Sequence, residues 1–159
     1  MNTNDFNRVI RELNDAAASI VPDVVDDAVT EAYRFGLSSE FVPALIQLRG
    51  LEWHTRHEDI VSALQQLRDP QSVDILEVTA RKTFDYLDYD EFRGLARKCT
   101  WALADIGTMS ARIALERLAA DRDPLIAGYA QKRLDHWQDE IHRKKCEQAA
   151  GENAPRPTA

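Results

Sequence analysis

Residues 57–83 superpose on residues 96–122 with a shift of 39 positions, and this internal echo constrains the fold more than any other feature. Ala63-Leu64 falls on Ala102-Leu103, Leu67 on Ile106 and Leu76 on Leu115. In each copy two leucines stand 12 apart, Leu64 to Leu76 and Leu103 to Leu115, which carries the chain from one helix over a tight turn into the next. A partial third copy follows at a shift of 31, with Ala96 on Ala127, Cys99 on Ala130 and Leu103 on Leu134. The difference of 8 is the length of the segment Thr83 to Asp90, which reads as a loop inserted between units. A unit of this size cannot bury its apolar face alone, so the echo predicts a short α-solenoid of stacked antiparallel helix pairs.

The apolar period agrees. Phe6, Ile10 and Leu13 form one stripe; Val25, Val29, Ala32 and Tyr33 form another; Leu95, Cys99, Ala102, Leu103 and Ile106 form a third. No stretch alternates every two residues, so the chain reads as all-α with about eight helices, roughly 4–19, 23–35, 39–49, 56–68, 71–83, 91–106, 109–121 and 124–148. Pro22, Pro70 and Pro124 sit where a first-turn proline belongs, and Gly36, Gly50 and Gly107 where a left-handed C-cap belongs. Residues 1–149 are expected to form one helical domain with its repeats at about 55–137, and 150–159, with Pro155 and Pro157, a disordered tail.

Asp69-Pro70 with Ser72-Val73 and Leu76, then Ala102-Leu103-Ala104-Asp105-Ile106-Gly107, then Asp123-Pro124-Leu125-Ile126 and Ala130, resembles the bacterial HEAT-like (PBS-lyase-type) repeat. The string His57-Glu58-Asp59-Ile60-Val61, the segment Phe84 to Asp90 and the run Ala96 to Leu103 are similar to small bacterial HEAT-repeat proteins encoded beside polymorphic toxins. That resemblance implies a protein-binding solenoid, in its concrete form an immunity protein.

Charge narrows the partners. The chain carries −7 overall, with 14 acids and 6 bases in residues 1–80 against 13 and 14 in residues 81–159. An acidic half favours a basic partner and disfavours a nucleic-acid binder that relies on phosphate neutralisation. Arg93, Arg97 and Lys98, with Lys132 and Arg133, form small basic clusters that read as partners of neighbouring acids. No apolar run is long enough for a membrane span, and the start Met1-Asn2-Thr3-Asn4-Asp5 lacks the regions of a secretory signal, so a cytoplasmic location is expected. Two cysteines, Cys99 and Cys146, imply no disulfide framework.

Catalytic chemistry finds no footing. His54 and His57 stand three apart with Glu58 next, but the positions equivalent to His57-Glu58 one repeat later are Ala96-Arg97, which cannot hold a metal. The two histidines read instead as first-turn residues and partner contacts. His136, His142 and Cys146 cannot share one helix face. Cys99 falls on an apolar stripe and reads as core. No nucleophile elbow or phosphate loop occurs, so no enzyme, no metal and no cofactor is expected.

The inserted loop is the most informative segment. Asp85, Asp88, Asp90 and Glu91 alternate with Phe84, Tyr86, Leu87, Tyr89 and Phe92, and no base intervenes. Aromatics turned inward would plug the gap between helix pairs, with Asp90 or a neighbour capping the next helix, while the carboxylates and tyrosines outside meet a basic partner. The second helix of each unit adds Asp74, Glu77 and Arg81, then Arg112, Glu116 and Arg117, to a concave groove. Asp85, Tyr86, Asp88, Tyr89, Asp90, Glu91, Asp74 and Glu77 are therefore the expected partner-binding residues. The expected function is neutralisation of a cognate, basic toxin domain by occluding its active site or substrate path. The alternative is a HEAT-like adaptor or assembly factor with no toxin partner.

Overall fold

Among the described residues the chain forms the helices α1 (Thr3–Ala18), α2 (Pro22–Phe35), α3 (Val42–Gly50), α4 (His57–Leu67), α5 (Val73–Ala80), α6 (Gly94–Ile106), α7 (Met109–Ala119) and α8 (Pro124–Asp135). The structure is a computed structural model that describes residues 3–87 and 91–139, and among these there is no strand. Asp88, Tyr89 and Asp90, the run carrying His142 and Cys146, and the tail at 150–159 lie outside the described residues.

The helix ends follow from local chemistry. Pro22 and Pro124 occupy first turns, and Pro70 opens a 3-10 turn (Pro70–Ser72) that leads into α5. Thr108 Oγ1 accepts the Ala111 N–H at 3.2 Å and Asp123 Oδ1 accepts the Leu125 N–H at 3.0 Å, each satisfying a donor that the helix leaves free. At the far ends, Gly36 (φ +100°) and Gly107 (φ +69°) take conformations that a Cβ disfavours. Gly50 does not: it is the last residue of α3, and the chain leaves through extended Leu51 at φ −83°, ψ 148°. The left-handed cap after α4 falls instead on Arg68, whose N–H reaches Leu64 O at 3.0 Å.

Some ends depart from the sequence expectation, as where the helix expected over 71–83 stops at Ala80. The helix expected over 91–106 begins at Gly94, because Arg93 at φ 53° is left-handed and cannot lie inside a helix. The helix expected over 124–148 stops at Asp135: His136 turns away at φ −103°, ψ 12°, and its Nδ1 donates to Lys132 O at 2.9 Å. An imidazole donor on that carbonyl stabilises the end of the helix, and residues 137–139 are helical again beyond the turn.

Packing turns the helices into two rows. α4 lies on α6 and α6 on α8, while α5 lies on α7; α5 also meets α6, and α7 meets α8, so the rows close on each other. At the N-terminal end α1 packs on α2 and α3, and α3 packs on α4, with Phe6, Phe35 and Phe41 forming an aromatic knot at 5.4–6.3 Å between ring centroids. Positions that superpose in the sequence repeat share their burial. Ala63 and Ala102, Leu64 and Leu103, Leu76 and Leu115 are all fully buried.

Polar ties run between units at nearly the repeat interval. Gln65 donates to Asp105 at 2.6 Å, Arg117 to Glu77 at 2.6 Å and Arg81 to Asp121 at 2.9 Å, each across 40 residues. Exposed ion pairs contribute about 0–1 kcal/mol each, whereas fully burying one leucine contributes about 1.5–3 kcal/mol. The apolar rows therefore hold the stack, and the ties set its register. No helix among the described residues is long and apolar enough to cross a membrane.

Glycine substitutions separate backbone from packing effects. A Cβ at Gly36 would meet open space, yet φ is +100°, so Gly36→Ala is expected to cost about 1–2 kcal/mol through backbone strain alone. Gly128 sits inside α8, also facing open space, and Gly128→Ala is expected to stabilise by about 0.5–1 kcal/mol. Urea unfolding of the two variants checks the opposite signs.

Candidate functional site

The inserted loop is fastened to the stack through a column of rings. His54 and His57 lie either side of the α4 start, and both are buried. Their rings stack at 4.2 Å between centroids, and His57 stacks in turn on Phe84 of the loop at 3.9 Å. Trp53 meets the edge of His54 at 5.6 Å. The loop is thus held where Phe84 enters the core, 8% exposed.

The column also explains why histidines occupy these positions. His54 Nε2 donates to Leu48 O at 2.8 Å and His57 Nε2 donates to Leu51 O at 2.7 Å, so the two rings satisfy carbonyls at the end of α3. Each Nδ1 is then an acceptor: that of His54 takes the Arg56 N–H at 3.1 Å, and that of His57 takes the Tyr86 O–H at 2.8 Å. Both imidazoles are held neutral in one tautomer. Burial holds His57 down at about 4, lowers His54, and pushes the Tyr86 hydroxyl up to about 12. The expectation that these histidines contact a partner is corrected, because stacked and capping rings at 1% and 0% exposure present nothing to one.

Beneath this column sits Arg49, the residue the sequence reading missed. It is fully buried, and none of its guanidinium nitrogens has a hydrogen-bond partner among the described residues. Its charge faces the Phe84 ring, 5.2 Å from the centroid, and burial depresses its pKa. Cys99, fully buried nearby, has its thiol pushed up to about 12 and is an inert core residue. The position was visible in sequence only as an arginine four residues after Leu45, on the apolar stripe of α3.

The loop's outer side has a different character. Asp85 and Glu91 are exposed, and among the described residues no cation pairs with either. Tyr86 and Leu87 are half-buried against the core, so Tyr86 serves as an anchor for the loop. Phe92 does not plug the gap: it is 71% exposed. Glu91 borders a cleft of about 250 Å3 between the loop and α6, lined also by Lys82, Phe84, Leu87 and Arg93.

The second-row helices divide the other expected residues. Asp74 is exposed, but Glu77 is a strut: at 12% side-chain exposure it accepts from Arg117 at 2.6 Å and Arg81 at 3.1 Å, which hold it below the usual carboxylate range. Arg112 and Glu116 pair with each other along α7 at 3.0 Å. Of the basic clusters, Arg93 pairs with Asp123 at 3.0 Å and Lys98 with Glu58 at 3.2 Å. Arg97, Lys132 and Arg133 instead line a separate cleft between α6 and α8. Among the described residues no three or more His, Cys, Asp and Glu side chains group as a metal site.

Fold and site together define the class: an all-α protein of helix pairs stacked in two rows, bearing an anchored acidic loop. No protein-family model, curated protein or solved structure matches the chain.

Two measurements test the column. Because the unfolded chain takes up a proton near pH 6.5 and folded His57 only near 4, protons favour unfolding between those values. Stability is expected to fall as pH drops from about 6.5 to about 4, by up to about 3 kcal/mol from this group, and its share to level off below. Urea midpoints against pH, beside an NMR titration of the His57 ring, check this. Arg49→Met is expected to leave stability unchanged or raise it by about 1–3 kcal/mol, since a buried unpaired charge is replaced by an apolar chain of similar length. A large loss in urea unfolding would mean that the guanidinium has a partner that matters.

Proposed function

We propose that this chain is a HEAT-like binding scaffold without chemistry of its own, which grips a basic protein partner through its inserted loop. The observation that carries the reading is the contrast within that loop. Its inner side is bolted down by Phe84 in the core and by the 2.8 Å bond from Tyr86 to His57. No cation among the described residues pairs with its carboxylates Asp85 and Glu91, while other acids, such as Asp26, Glu31, Glu77 and Asp123, are engaged by arginines. Asp85 sits between the anchors Phe84 and Tyr86, and a carboxylate on anchored backbone loses little entropy on binding, which suits it to steer and hold arginine or lysine side chains.

In its narrower form the partner is a cognate bacterial toxin domain met in the cytoplasm, and the chain is its immunity protein. The loop acids would sit in the toxin's cleft or substrate path. For a nuclease toxin they would stand in for the negative charge of the substrate. Asp74, exposed on α5, would extend the same surface, and Glu77 would support it from within.

The test is co-purification from the native cell followed by mass identification of the retained protein. A basic partner is expected, and a variant with Asp85, Asp88 and Glu91 all changed to Lys is expected to bind it at least tenfold more weakly, about 1.4 kcal/mol, with unchanged helicity. Unchanged affinity would return the loop to a structural role. For the narrower form, expressing this chain should rescue cells from the toxin encoded beside it. Failure to rescue, with both proteins soluble, would leave the adaptor without a toxin.

A further inference from the structure

The face between α6 and α8 runs against the charge of the molecule. Arg97, Thr100 and Trp101 of α6 and Tyr129, Lys132 and Arg133 of α8 line a cleft of about 260 Å3, in which the described residues include no carboxylate and Arg97 and Lys132 supply exposed positive charge. The whole chain carries −7, so this is a local inversion of sign.

The cleft is built rather than loose. Arg133 is 5% exposed, with its guanidinium carbon 3.6 Å from the Trp101 ring centroid, a cation–π stack that fixes one wall. The Tyr129 hydroxyl donates to Phe92 O at 2.6 Å, and the Thr100 hydroxyl donates to Arg97 O at 2.8 Å, so neither hydroxyl swings freely. Trp101 keeps 37% of its surface open. Arg97 and Lys132 are exposed, and no carboxylate among the described residues pairs with them, in contrast to Arg93 and Lys98 beside Arg97.

We infer that this cleft binds a small phosphate monoester with an aromatic body, of mononucleotide size. Arg97 offers a planar fork of donors and Lys132 a point charge, a pair suited to a phosphate dianion. The open surface of Trp101 offers a stacking platform for a base. At about 260 Å3 the cleft is just below the roughly 300–1,000 Å3 of enclosed ligand sites, so it would seat the phosphate end and leave part of the ligand in solvent. A long polyanion would leave the cleft for surfaces whose net charge repels it, so the site selects a compact ligand over a nucleic-acid strand. This inference is independent of the loop and its protein partner.

The test is calorimetric titration of adenosine monophosphate into the full chain at low salt, with adenosine and inorganic phosphate as further probes. The monophosphate is expected to bind, phosphate to compete with it, and adenosine to bind at least tenfold more weakly. Raising salt from about 50 to about 200 mM should weaken binding. Arg97→Gln with Lys132→Gln should reduce affinity at least tenfold, with Lys132→Gln alone intermediate; both side chains are exposed, and circular dichroism confirms the fold. Tryptophan fluorescence should respond to ligand in the native chain and not in Trp101→Phe. Equal binding of adenosine and its monophosphate would overturn the inference, as would full affinity in the double variant. A single-stranded oligonucleotide binding more than tenfold tighter than the mononucleotide would also overturn it, in favour of a nucleic-acid track.

Discussion

No helix in this chain can bury its apolar face by itself, and the architecture follows from that dependence. α6 is the clearest case: Cys99, Ala102 and Leu103 are fully buried because α4, α5, α7 and α8 surround the helix. Removing one row would expose the other. Small residues at Ala63, Ala102 and Ala104, all fully buried, let adjacent helices approach closely. The polar links across 40 residues then choose among possible slides of one unit on the next, since a slip of one residue would break several of them together.

Electrostatics is organised on the same frame. Acids lying between neighbouring units are taken up by arginines, as Glu77 is by Arg117 and Arg81, and Asp26 is by Arg56 at 2.8 Å. What the stack does not consume is sorted by place. Among the described residues, Asp85 and Glu91 keep carboxylates that no cation pairs with, and Arg97 and Lys132 in the α6–α8 cleft are cations that no carboxylate pairs with. A molecule of net −7 thus presents two surfaces of opposite preference, neither evident from the total.

The ring column shows how a loop is held without a long hydrophobic segment. Phe84 supplies the apolar contact, and two neutral histidines supply both stacking surface and hydrogen bonds to the end of α3. The cost falls on Arg49, buried without a hydrogen-bonding partner beneath Phe84. Such a group stays in place only because the surrounding packing is strong enough to hold it there.

Helix positions, the inserted loop and the stacking of pairs were legible in the sequence, because period, turn chemistry and repetition are local signals. Leu64, Leu103 and Leu115 had to be core at their spacing, and Asp123-Pro124 had to start a helix. Where α8 ends was not legible: Trp137 is buried as the apolar period requires, yet the backbone turns at His136, whose ring donates to Lys132 O at the end of α8. Nor were the side-chain partners. Arg97 and Lys98 are adjacent in the chain, yet one lines an open cleft and the other pairs with Glu58, because adjacent residues on a helix point about 100° apart. The sequence alone determined the apolar stripes of the core; the tertiary structure decided which charges meet and that Arg49, His54 and His57 lie inside. An apolar stripe is a periodic, local signal, whereas pairing and the burial of polar side chains depend on what the neighbouring helix brings across the gap.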